Sequence, residues 1–199
     1  MMNLSDFWIY TEIGLKHVLN LKSYDHVLFL MALSASNSFK EWKKMLLLVT
    51  VFTIGHSLAL VLSTFNIVMI QLSLVELLIP ITIVFAAGFN FFSIRKSSKT
   101  GTGNALILTT LFFGVIHGLG FATYFKSILP GTASEKVAPL LEFAIGIEGA
   151  QLVIVMGMLL LSFGVQNFFR VSKRDFILVV SAFIIGMALP MILENVIWN

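Results

Sequence analysis

The chain contains no cysteine, which excludes disulfides, thiolate metal sites and cysteine nucleophiles. Charge is scarce as well: Asp, Glu, Lys and Arg supply 12% of the 199 residues, against about 25% in soluble domains. No soluble domain and no low-complexity tail is visible. The opening stretch MMNLSDFWIY lacks a basic region followed by an apolar core, so no cleavable signal peptide is expected. What the chain has in abundance is apolar surface. Hydrophobic residues make up 58% of it and mean hydropathy is +0.96.

These apolar residues fall in runs long enough to cross a bilayer, which takes about 20 residues of helix. Positions 45–70 contain one ionisable residue, His56. Positions 72–94 contain only Glu76, 104–125 only His117, and 137–169 only Glu142 and Glu148. Positions 176–193 contain none. The expected fold is an all-α, polytopic membrane helical bundle of about six transmembrane helices, forming a single membrane domain over 1–199. The first span is the weak one, because Tyr24 to Ser36 is too short to cross alone. It either continues from the amphipathic stretch FWIYTEIGLKHVLN (7–20) as a broken helix, with Gly14, Asn20 and Ser23 at the break, or that stretch re-enters or lies on the surface.

Most of the basic residues sit in three short connections: Lys40, Lys43 and Lys44 in 37–44, Arg95, Lys96 and Lys99 in 95–103, and Arg170, Lys173 and Arg174 in 170–175. The positive-inside rule makes these connections cytoplasmic and puts both termini outside. Lys16, Lys22, Lys126 and Lys136 then face the other way. So dispersed a basic set does not support nucleic-acid binding. Gly114 and Gly118, Gly55 and Ala59, and Gly146 and Gly149 have the spacing of close helix contacts.

At about 1.5 Å of rise per residue, this topology gathers the ionisable residues of the spans into the outer half of the membrane. Glu148, His56 and His117 lie deepest, Asp25 and His26 begin the first span, and His17 falls just before it. Charge at membrane depth persists where it is paired or functional. Neutral imidazole is the commonest metal ligand, and a carboxylate can complete the shell or orient a ring. His26 with Asp25 beside it, His56 and His117 come from three helices, as in metal sites built in bundle cores. Thr53, three residues before His56, is a possible partner for that ring. Glu148 shares a face with Gln151, Glu142 is expected to reach the outer interface, and Glu76 either caps or bonds a neighbouring helix.

At these residues the chain resembles the HupE/UreJ family of bacterial membrane proteins. The likeness lies in GLKHVLNLKSYDHVLFLMAL (14–33), VTVFTIGHSLAL (49–60), VELLIPITIVFAA (75–87), FGVIHGLGFA (113–122) and LEFAIGIEGAQL (141–152). Where GxDH is usual, SYDH keeps Asp25 and His26 but loses a glycine. The resemblance implies a six-span inner-membrane protein tied to nickel or cobalt supply for hydrogenase and urease. The family's histidine- and acid-bearing positions fall on His17, Asp25, His26, His56, Glu76, His117, Glu142 and Glu148. It also implies metalloenzyme maturation partners or a homo-oligomer, besides the metal ion and the lipid bilayer.

Three functions fit this pattern. A divalent-metal transporter would capture Ni²⁺ or Co²⁺ on Asp25, His26, His56 and His117, with Glu76, Glu142 and Glu148 attracting the cation or exchanging protons with it. An intramembrane zinc hydrolase would hold Zn²⁺ on His26, His56 and His117, orient or activate with Asp25, use Glu148 as general base and place Ser57 at an oxyanion; its residue types look like those of ceramidase and progestin-receptor-like membrane hydrolases. A scaffold would use the metal for stability alone. Transport needs polar groups in the inner half, where few are visible beyond Thr50, Ser162, Gln166 and Asn167.

Overall fold

The computed structural model describes residues 4–20, 22–94, 103–129, 131–132 and 135–195. Among them are seven α-helices and no strand: α1 (Leu4–Val18), α2 (Asp25–Ser34), α3 (Trp42–Thr64), α4 (Leu72–Ser93), α5 (Asn104–Ile128), α6 (Val137–Phe168) and α7 (Lys173–Leu193). Five of them, α3 to α7, are long and apolar enough to cross a membrane. The expected polytopic helical bundle is what forms. Arg95, Lys96 and Lys99 lie outside the described residues.

Cross-helix contacts set the directions. Phe85 meets Phe113, and a side chain at Gly120 would meet Ile79, so α4 and α5 are antiparallel. Asn90 bonds Ser181 and Asn195 bonds the Ser73 carbonyl, so α4 and α7 are antiparallel too. Gly55 and Gly114 bring α3 and α5 together in parallel: a Cβ at Gly55 would overlap the Leu111 carbonyl oxygen, and one at Gly114 would overlap that of Phe52. At Gly118 it would strike the His56 carbonyl oxygen. Small residues let helix backbones approach where no side chain fits.

The segment before the first long helix is broken. α1 and α2 extend roughly 22 and 15 Å at 1.5 Å per residue, so neither alone covers a hydrocarbon core of about 30 Å. α1 lies parallel to α6, locked where Gly14 and Gly146 leave no room for a Cβ between the backbones. Gly14 therefore marks a packing contact, not the break. The break falls at 19–24, where the Asn20 side chain accepts from the Lys22 N–H and its carbonyl from the Ser23 N–H. Such a local turn competes with helix continuation. α2 then resumes deeper in the bundle, with Phe29 stacked on Phe52 and the Ala32 carbonyl bonded by Asn90.

Candidate metal centre

The break brings two histidines together. His17 closes the last turn of α1 and His26 opens the first turn of α2, their ring centroids 4.7 Å apart. His56 arrives from α3, 5.6 Å from His17 and 5.5 Å from His26. His117 on α5 stands 5.2 Å from His26. All four histidines of the chain thus surround one point, with His26 touching each of the other three. The Gly118 contact explains how α3 and α5 come close enough: the glycine beside His117 lies against the backbone of His56.

The hydrogen bonds of the rings specify what they can bind. His117 Nδ1 lies 2.9 Å from the Phe113 carbonyl oxygen. A carbonyl only accepts, so Nδ1 carries the proton and Nε2 presents a lone pair. His26 Nδ1 lies 3.4 Å from Asp25 Oδ1, which orients that ring in the same way. Among the described residues Nε2 of all four histidines, and Nδ1 of His56, are buried without a hydrogen bond. Buried polar groups are normally paired, and leaving one unpaired costs about 1–3 kcal/mol. Unpaired nitrogens on four neighbouring rings call for a ligand. Ligand atoms of His17, His26 and His56 lie within 4.8 Å of one another. A tetrahedral ion with metal–nitrogen bonds of about 2.0–2.1 Å wants these atoms roughly 3.4 Å apart, so small ring rotations would close the set.

Phenylalanines wall the cluster. Phe29 and Phe52 pack on His117, Phe121 on His17, and Phe143 on both His17 and His56. Phe121 and Phe143 stack, with Phe125 against Phe143. This shell packs against the rings and holds them in place.

The remaining candidates divide. Asp25 begins α2, while Tyr24 occupies the capping position, and the Asp25 carboxylate serves His26. Glu142 does not reach an interface as expected: it is buried, and Thr11 of α1 bonds its carbonyl. The cause is α1, whose half-helix covers that face of α6. Glu148 does share a face with Gln151, and both reach α3, where Thr50 donates to Glu148 (2.6 Å) and Thr53 to Gln151 (3.1 Å). Thr53 is therefore engaged with Gln151 and does not serve His56. Ser57 is half-buried beside His56, its Oγ without a partner. Glu76 is exposed on α4. Sequence reasoning missed the phenylalanine shell, and it missed the pairing of Thr50 and Thr53 with Glu148 and Gln151, although the same three-residue spacing on both helices was a readable signal.

A family model described as HupE / UreJ protein matches residues 2–195 of the chain. No curated protein and no solved structure matches it.

Proposed function

The chain belongs to the HupE/UreJ family, and we propose that it is a divalent-metal transporter of the bacterial cytoplasmic membrane with Ni²⁺ or Co²⁺ as its cargo. His17, His26 and His56 capture the ion, His117 offers a fourth imidazole, and Asp25 orients His26. One observation carries the reading: the unpartnered ring nitrogens converge on one point inside a bundle of apolar helices. Both ions suit imidazole completed by carboxylate or water. The three basic connections face the cytoplasm and the broken first crossing starts from the outside. A discontinuous helix ending at the binding site is a recurrent way to place an ion near mid-membrane, and α1 with α2 has that form.

Transport requires the ion to leave, whereas catalytic zinc is retained. The test is elemental analysis of detergent-purified protein before and after a mild chelator wash, followed by Co²⁺ or Ni²⁺ uptake into proteoliposomes. Metal that binds on addition, washes away and enters liposomes supports the transporter. About one zinc per chain surviving the wash, with no uptake, replaces it by the hydrolase or the scaffold. The hydrolase asks Glu148 to act as a base at the metal, but its carboxylate is held by Thr50 on α3.

A further inference from the structure

A transported ion needs somewhere to go after the histidines. Along α3, Thr53 and Thr50 lie three and six residues before His56, about 4.5 and 9 Å along the axis. This is toward the end that carries Lys43 and Lys44. Each threonine is paired across to α6, Thr53 with Gln151 and Thr50 with Glu148.

Two features set this ladder apart from ordinary helix pins. Glu148 sits inside a membrane-crossing helix, yet no basic side chain neutralises it: the ion pairs among the described residues are Lys16–Glu12, His26–Asp25 and Lys44–Glu41. A carboxylate at such depth calls for a counter-charge. Gln151 is fully buried, one end of its amide engaged by Thr53 and the other, Nε2, without a partner. Oxygen and nitrogen of an amide exchange by a flip, so Gln151 can turn either end to Thr53 and its oxygen into the same space.

We infer that Glu148, Thr50, Thr53 and Gln151 form a second station for the divalent cation, on the inner side of the histidine cluster. The inference rests on the transporter reading and supplies the missing inner half of its path. The two stations differ in chemistry. The first offers imidazole nitrogen, which late first-row ions prefer; the second offers carboxylate, hydroxyl and amide oxygen, which hold them less tightly. Conduction requires sites strong enough to fill and weak enough to empty, and a nitrogen-rich capture site followed by an oxygen-rich release site meets both needs.

Co²⁺ is the probe, because its visible spectrum separates imidazole from all-oxygen ligation. Full-length protein in detergent is titrated with Co²⁺ by calorimetry and absorption, and the same preparation is assayed for uptake in liposomes. Wild type is expected to show a tight imidazole-type site and a weaker oxygen-type site. Glu148→Gln is expected to keep the first with an unchanged spectrum, lose the second, and cut uptake roughly tenfold or more; Glu148→Asp restores part of both. Thr50→Val provides an independent arm with the same loss on a smaller scale, and retention of the tight site certifies folding in every variant. Wild type with one class of site, or Glu148→Gln with both classes and full uptake, overturns the inference while leaving the histidine site standing. If His56→Leu also leaves Co²⁺ binding and uptake intact, the transporter reading falls separately.

Discussion

Two sets of polar side chains are buried in this bundle, and they are treated in opposite ways. Between α2, α4 and α7, Asn90 donates to the Ala32 carbonyl at 2.9 Å and to Ser181 Oγ at 3.3 Å. Ser34, Thr82 and Thr110 bond carbonyls of their own helices. Where α1, α2, α3 and α5 meet, Nε2 of each histidine and Nδ1 of His56 are buried without a hydrogen bond. Both regions are equally enclosed: Asn90 is 3% exposed and His56 0%. The first set closes its hydrogen bonds and so holds the fold. The second is held open by the fold, and its cost is recovered when an ion arrives. The two should therefore respond to mutation on different axes, one in stability and the other in metal binding.

The largest effect should come where both axes meet. Gly118 lies against the His56 backbone, and any Cβ there overlaps the carbonyl oxygen. Gly118→Val is expected to lose Co²⁺ binding altogether and to lower stability by about 3 kcal/mol or more, as overpacking against rigid backbone does. Gly88→Val on α4, where a Cβ meets nothing within 4 Å, is its control and should match wild type in both. Detergent thermal unfolding and Co²⁺ titration measure the two axes. Equal behaviour of the two variants would mean that α3 and α5 are not in contact at the histidines.

Next come the variants that separate the axes. His56→Leu removes a ring with no hydrogen bonds to lose, so Co²⁺ affinity should fall at least about 100-fold while the metal-free protein unfolds at the same temperature or higher. Asn90→Leu should do the reverse, costing about 1–3 kcal/mol by stranding the groups it bonded and leaving Co²⁺ affinity unchanged. A metal-free His56→Leu protein as unstable as Asn90→Leu would show that the imidazole has a structural partner, and the contrast between the two regions would collapse. Asp25→Asn should weaken binding by about 10–100-fold, the usual scale for a group that orients a metal-bound ring. Acidification should weaken it too, since a protonated imidazole has no lone pair to give.

How much of this was legible depended on what each residue reports. The apolar runs gave the five long apolar helices, and the lone polar residues in them gave histidines that the fold brings together, because position along a helix follows from counting. The shortness of the Tyr24 to Ser36 run marked the segment as irregular, and left open whether 7–20 forms a broken helix with it, re-enters or lies on the surface. Rotation about a helix axis is a different matter. Phe52 and Phe143 wall the site, while Phe85, Phe89 and Phe92 are exposed, and nothing in a membrane-spanning run tells a phenylalanine facing protein from one facing lipid. Thr53 failed as a partner for His56 for the same reason: spacing put it on a usable face but could not say that α6 covers it. Glu142 was misjudged because α1 lies over the part of α6 that counting placed at the interface.

Glu76 sharpens the comparison from its weak end. In depth it resembles Glu142, and the family resemblance gives it equal standing, yet α4 turns it outward while Val75, Leu77 and Ile79 face the bundle. An exposed carboxylate near a membrane boundary can reach water and needs neither an ion nor a partner. Glu76→Gln should therefore leave Co²⁺ affinity within about twofold of wild type, because a charge screened by water and outside the cluster adds little to binding. Its only plausible route to the metal is electrostatic attraction of the cation from solution, and that route is screened by salt. The variant is thus to be titrated at low and at high ionic strength. A deficit that vanishes in salt assigns Glu76 to steering. A deficit that persists would place its carboxylate on the ion, requiring α4 to rotate when metal binds and carrying the open region of the bundle beyond the helices that now enclose it.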